Sequence, residues 1–209
     1  MLDYSLYLVT DRSLMAHNSL VECVEQAILG GCTIVQLREK EIASREFYQE
    51  AIKLRELTAR HNIPLIINDR ADIALAVDAD GLHIGQDDIP YEAAYRILGP
   101  DKIIGISAGT LEEAKIAAQM GADYLGVGAM FPTGTKTDAN PTTMEELRRI
   151  REAVSIPIVA IGGINKGNIK LFEGIGIDGV AVVSAVVSQK DAESAAREIK
   201  NIFKGDNYE

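Results

Sequence analysis

The side chains able to do chemistry fall in short clusters, each placed just after an apolar run. Gln36-Leu37-Arg38-Glu39-Lys40 follows one run, Asn68-Asp69-Arg70 another, Gly85-Gln86-Asp87-Asp88 a third and Ser107-Ala108-Gly109-Thr110 a fourth. Further on come Pro132-Thr133-Gly134-Thr135-Lys136-Thr137-Asp138, Gly162-Gly163-Ile164 and Ser184-Ala185. Gln36, Arg38 and Lys40 alternate, so in extended chain they share one face. Two cations on an inward face need an anion, either a bound ligand or a carboxylate such as Glu39, Glu41 or a neighbouring Asp. Asp69 and Asp88 end two successive runs, and a carboxylate pair beside phosphate donors suits Mg2+, with Asp87 able to replace Asp88. The plainer alternatives are an Asp69–Arg70 ion pair and an N-cap role for Asp88 before a helix over Tyr91–Leu98. Gly162-Gly163 and Ser184 can offer backbone N–H groups to an anion, or form ordinary tight turns. Thr133, Thr135 and Lys136 add two hydroxyls and an ammonium, an anion clamp or a solvated loop.

The remaining candidates are weaker. His83 lies inside an apolar run and reads as a satisfied core histidine rather than a general base; His17 and His61 fall in polar stretches and are expected at the surface. Neither a Ser-His-Asp order nor a Cys-His pair supports covalent hydrolysis. Gly174-Ile175-Gly176-Ile177-Asp178-Gly179 fits a dinucleotide fingerprint but precedes an apolar run where the fingerprint must follow one. Gly134-Thr135-Lys136 lacks the Gly-Lys step of a phosphate-binding loop. What is left is two anion sites, one metal and no enzyme nucleophile.

Eight apolar runs must position these groups: Ser5–Thr10, Thr33–Leu37, Leu65–Ile67, Gly81–Ile84, Ile103–Ile106, Tyr124–Val127, Ile158–Ile161 and Val180–Val183. Consecutive Val, Ile and Leu mark strands covered on both faces. Helical spacing separates them at Ser19–Leu29, Phe47–Arg60, Glu112–Met120, Met144–Val154 and Ala192–Phe203. Even-numbered runs open alike (Cys32-Thr33, Asp80-Gly81, Asp123-Tyr124, Asp178-Gly179), and two odd ones open with Ile-Pro. This two-unit alternation predicts a single (β/α)8 barrel rather than an open doubly wound sheet. Such barrels have about 250 residues and a floor near 200, so 209 residues make a minimal one over 1–203, with a polar tail at 204–209. Active sites of such barrels lie at the carboxyl ends of the strands, where the clusters are.

Composition narrows the function. Lys and Arg number 21 against 31 Asp and Glu, a net charge of −10 that argues against nucleic acid or an anionic membrane as the main partner. No apolar run approaches the ~18 residues of a membrane span, and Met1-Leu2-Asp3-Tyr4 shows no basic leader region. Cys23 and Cys32 have no metal-ligand spacing and read as small buried hydrophobes in a reducing cytoplasm. Small-molecule substrates are the expected partners, and a homo-oligomer is compatible with the sequence.

In their order, the strand ends resemble the thiamine phosphate synthase family. The likeness runs from Tyr7-Leu8-Val9-Thr10-Asp11-Arg12 through Val35–Lys40, Ile67–Arg70, Gly81–Asp88, Gly105–Ser107, Gly126–Lys136 and Ala160–Ile164 to Val183-Ser184-Ala185. It implies an enzyme that joins hydroxymethylpyrimidine diphosphate to hydroxyethylthiazole phosphate, with Mg2+ as cofactor. By the same resemblance Gln36, Leu37, Arg38, Glu39, Lys40, Asn68, Ser107 and Lys136 bind the pyrimidine diphosphate. Thr133, Thr135, Gly163, Val183 and Ser184 receive the thiazole phosphate, Asp69 and Asp88 hold the metal, and Arg38, Lys136 and Ser107 are the catalytic set. Ala129 and Gly109 depart from the family's frequent proline and histidine. A thiazole tautomerase-like isomerase and a noncatalytic thiazole-phosphate binding protein are the alternatives. The full charged set, and the absence of a histidine at Ala129-Met130, disfavour the first; an intact metal site disfavours the second.

Overall fold

The computed structural model describes residues 2–16, 19–132 and 141–205. Its strands are β1 (Leu6–Val9), β2 (Ile34–Leu37), β3 (Leu65–Asn68), β4 (Gly81–Ile84), β5 (Ile103–Ala108), β6 (Tyr124–Val127), β7 (Ile158–Ile161) and β8 (Gly179–Val182). Between and after them lie α1 (Leu20–Leu29), α2 (Ser44–Arg60), α3 (Ala71–Ala76), α4 (Tyr91–Leu98), α5 (Leu111–Met120), α6 (Met144–Ala153), α7 (Ser184–Val187) and α8 (Ala192–Lys204). Every neighbouring pair of strands is parallel, and β8 returns to β1, with Tyr7 set against Ile34 on one side and Ala181 on the other. The result is the closed (β/α)8 barrel that the alternation predicts.

Local chemistry explains the helix ends. Ser19 Oγ accepts from the Glu22 N–H at the start of α1, and Thr110 with Glu113 forms a capping box on α5. Gly121 and Gly205, both left-handed, end α5 and α8. The apolar face read for α1, Leu20, Cys23, Val24, Ala27 and Ile28, is the buried face.

Alternate strand residues face the barrel lumen, and there Tyr4, Tyr7, Val9, Ile34, Ile66, Tyr124, Val159 and Ala181 form their own core. The opposite faces pack beneath the helices in the larger core. Gly105 is obligatory for this filling, because a Cβ there would lie 2.1 Å from Tyr124 Cζ.

The repeated openings of the even strands have one structural purpose. At the bottom of the barrel the Leu6 N–H donates to Thr33 Oγ1 (3.2 Å) and the Leu65 N–H to Asp80 Oδ2 (2.8 Å). The Ile104 N–H donates to Asp123 Oδ2 (2.7 Å) and the Ile158 N–H to Asp178 Oδ2 (2.9 Å). In each case the N–H of Thr33, Asp80, Asp123 or Asp178 returns a bond to the carbonyl of the same partner residue, at 2.8–2.9 Å. Four reciprocal pairs thus satisfy the backbone groups that four odd strands would otherwise leave open near their starts.

Some boundaries differ from expectation. α2 begins at Ser44, ahead of Phe47, because Ser44, Arg45 and Glu46 extend the helix beyond its apolar stripe. α8 runs through Lys204, one residue into the expected tail, before Gly205 stops it; 206–209 lie outside the described residues. α3 and α7, six and four residues long, are too short to show a helical period. Gly174–Gly179 leads into β8, as the dismissal of the fingerprint requires.

Candidate active site

The strand ends surround a cavity with an empty volume of about 860 Å³, counted to its open mouth. Gln36, Arg38, Asn68, His83 and Ser107 form one side of its lining, and Gly162, Gly163, Ile164, Val183 and Ser184 another. Two groups of residues proposed from separate stretches of sequence therefore face one space. Leu37 does not join them: its side chain is wholly buried in the core beneath the helices, the consequence of strand alternation placing it opposite Gln36. Thr133, Thr135, Lys136 and His17 lie outside the described residues.

The cations have protein partners, and they are neighbouring aspartates rather than Glu39 or Glu41. Arg38 Nη1 reaches Asp11 Oδ2 at 3.3 Å, and the Arg38 N–H donates to Thr10 Oγ1. Lys40 Nζ donates to Asp69 Oδ2. Glu39 instead accepts from Arg12, 3.2 Å away; burial raises its carboxyl above the ordinary range against the pull of that guanidinium.

Neither plain alternative for the aspartates is realised. Arg70 pairs with Asp72, not Asp69, and α4 is preceded by Pro90 without a side-chain cap. Asp88 Oδ2 accepts from the Gly85 N–H at 2.7 Å, and its carboxyl titrates above the usual range. Burial is the first cause and the facing Asp69 carboxyl the next, while Lys40 acts in the opposite direction. Asp69 has a left-handed backbone, φ 63°, which short polar side chains tolerate and which turns it off the strand end. Two facing carboxylates, with one ammonium drawn to them, are a donor set a divalent cation fits. Among the described residues no group of three or more His, Cys, Asp or Glu side chains is placed to hold a metal ion.

Inside the lumen Gln36 Nε2 donates to Tyr7 Oη (2.8 Å), and Tyr7 Oη and Tyr124 Oη lie 2.7 Å apart. Tyr124 Oη is 3.0 Å from His83 Nδ1, and His83 Nε2 is 2.9 Å from Ser107 Oγ. Burial pushes both phenols far above their ordinary range, so both stay protonated. His83 is hydrogen-bonded within the barrel, as expected, but it also lines the cavity. His61 is half-buried beside Glu25, less exposed than expected.

On the far wall, Gly162 and Gly163 have φ of 101° and 66°, and a Cβ on Gly163 would strike Phe131 Cβ at 2.8 Å. Two asparagines clamp the Gly163 carbonyl. Asn165 Nδ2 (3.1 Å) and Asn168 Nδ2 (2.9 Å) both donate to it, while their oxygens accept from the Gly167 and Asn165 N–H groups. Ser184 opens α7, so its N–H is among those a helix leaves without an intrahelical acceptor. Sequence reasoning places Asp11 at a strand end without pairing it to Arg38, and it misses Tyr7, Tyr124, Asn165 and Asn168. Two hydroxyl-bearing tyrosines in otherwise apolar strands, and the Asn-x-x-Asn spacing beside a double glycine, were the available signals.

A family model described as thiamine monophosphate synthase matches residues 6–186. Thiamine-phosphate synthase of Clostridium beijerinckii is 60% identical over 202 residues, covering 97% of both chains. That of Clostridium botulinum is 60% identical, covering 97% of this chain and 95% of its own. The solved structure of a thiamine phosphate pyrophosphorylase from Pyrococcus furiosus superposes with a TM-score of 0.90 at 45% identity, over 98% of this chain and 97% of that one.

Proposed function

The chain belongs to the thiamine monophosphate synthase family, and from that premise we propose how its own residues divide the work. As a thiamine-phosphate synthase it is a transferase: it joins hydroxymethylpyrimidine diphosphate to hydroxyethylthiazole phosphate and releases pyrophosphate. The observation that carries the residue assignment is the single cavity with Arg38, Asn68 and Ser107 on one wall and Gly163 and Ser184 on the other.

Gln36, Arg38, Glu39, Lys40, Asn68, Ser107 and Lys136 hold the pyrimidine diphosphate. Thr133, Thr135, Gly163, Val183 and Ser184 receive the thiazole phosphate. Departure of pyrophosphate leaves positive charge on the pyrimidine methylene, shared with the electron-rich ring, and the thiazole nitrogen captures it. No enzyme nucleophile is required; the work is charge stabilisation and alignment. Arg38 and Lys136 draw electron density toward the leaving group, while the phosphate seat aims the nitrogen. Asp69 and Asp88 would hold Mg2+, which supplies positive charge for the diphosphate when bound. Lys40 then exchanges its bond to Asp69 for the substrate anion. No described helix is long and apolar enough to cross a membrane. Cys23 and Cys32 are free and buried, which fits a reducing, cytoplasmic setting.

The test is incubation of the purified chain with both substrates and Mg2+, with a chelator control, and detection of thiamine phosphate by mass. Product that needs the metal supports the assignment. Product that persists unchanged in chelator removes Asp69 and Asp88 from it.

A further inference from the structure

Four hydrogen bonds link Gln36, Tyr7, Tyr124, His83 and Ser107 in series across the lumen, and both ends line the cavity. We propose that this series is a hydrogen-bond chain of fixed direction, in which Tyr7, Tyr124 and His83 are positioning residues that commit the Ser107 hydroxyl hydrogen to substrate. The inference rests on the reading of Ser107 as a substrate-binding group.

The direction follows from counting hydrogens. The Gln36 nitrogen can only donate, so Tyr7 Oη accepts from it and spends its own hydrogen on Tyr124. Tyr124 Oη, having accepted, donates to His83 Nδ1. A ring accepting at Nδ1 carries its hydrogen at Nε2 and gives it to Ser107 Oγ. Each of the four bonds then holds one hydrogen, and the hydrogen of Ser107 remains for the cavity. A doubly protonated ring breaks the count, because Tyr7 would accept from both sides and its own hydrogen would have no acceptor within the series. Water cannot repair the order, since both tyrosines are enclosed.

The chain therefore presents a donor at Ser107 and, through the free oxygen of its amide, an acceptor at Gln36. A donor suits an anionic diphosphate oxygen and an acceptor suits an amino group. The polarity of one end is coupled to that of the other through groups that never touch the ligand.

Two measurements test this. Nitrogen-15 NMR of the ligand-free protein, with the His83 signal identified by its loss in His83→Gln, should show the hydrogen on Nε2. A ring protonated at Nδ1, or at both nitrogens, overturns the proposal, and this readout is independent of any activity. In kinetics, Tyr124→Phe keeps the ring in its niche but cuts the chain, and should lower kcat about tenfold with KM for thiazole phosphate unchanged. In a Ser107→Ala background the same change should have little further effect on kcat, since both act on one hydroxyl. Losses that simply multiply would assign Tyr124 a purely structural role and overturn the coupling. Wild type without synthase activity, but with the Nε2 tautomer, would instead break the functional reading and leave the chain's direction standing.

Discussion

Replacing Asn168 separates the phosphate seat from the rest of the site. Its amide makes two bonds, one to the Gly163 carbonyl and one from the Asn165 N–H, each 2.9 Å. Asn168→Ala removes both but leaves Asn165 on the same carbonyl. The lost Gly163 bond is worth about 1 kcal/mol, so KM for thiazole phosphate should rise about fivefold. Asn168→Asp is the sharper probe. It keeps an acceptor for Asn165 but turns a carboxylate oxygen toward the Gly163 carbonyl and brings negative charge near the bound phosphate. Repulsion on the order of 2 kcal/mol adds to the lost bond, giving about a hundredfold. Steady-state rates with each substrate varied in turn, alongside melting curves, read the outcome. KM for the pyrimidine diphosphate should stay within about twofold in both variants, because its described residues come from β2, β3 and β5 rather than from the loops after β7 and β8. Equal effects of Ala and Asp, or a parallel rise in both KM values, would refute the clamp as a device for the phosphate.

Lys136→Ala should cut turnover by about 10²-fold or more, measured at saturating substrate; near-normal turnover would remove it from the mechanism. Asp88→Asn should abolish metal-dependent turnover yet raise the Tm of the metal-free protein by about 2 °C. The sign follows from linkage: a carboxyl raised above its unfolded value of 3.8 contributes stability that is lost as pH rises through its folded value, so at neutral pH its charge is a burden. A lower Tm for the variant would contradict the facing carboxylates. Gly105→Ala, whose Cβ would occupy the Tyr124 ring, should destabilise by about 3 kcal/mol or more in denaturant titration, and a change under 1 kcal/mol would show that the lumen can yield.

What could be read ahead of the structure depended on how local the signal was. β3 and β7 declare themselves through consecutive Leu, Ile and Val, since both faces are covered. α4 matches its expected ends at Tyr91 and Leu98, whereas α3 has no room for a full apolar period. In the site, Gln36, Arg38, Asn68, Ser107, Gly163 and Ser184 share a cavity because strand ends of one barrel must share a mouth. Leu37 shows where carrying over a contiguous motif fails: neighbours on a strand point to opposite layers. Tyr7 and Tyr124 are 117 residues apart and meet only through barrel closure, which no local pattern reports. Asp11 was seen at a strand end, but its pairing with Arg38 depends on the register between β1 and β2.

The reciprocal pairs beneath the barrel separate two kinds of construction within one chain. Thr33, Asp80, Asp123 and Asp178 perform the same act at every second strand, while the strand ends at the mouth carry different side chains, from Gln36 and Arg38 to Ser107 and Gly162-Gly163. The lower half thus repeats one joint four times, three with an aspartate carboxylate and one with the Thr33 hydroxyl, and the upper half is varied. Quarter-barrels exchanged between such chains, cut where one reciprocal pair ends and the next begins, would carry compatible seams with them. The mouth can therefore change residue by residue while the base keeps its bonds.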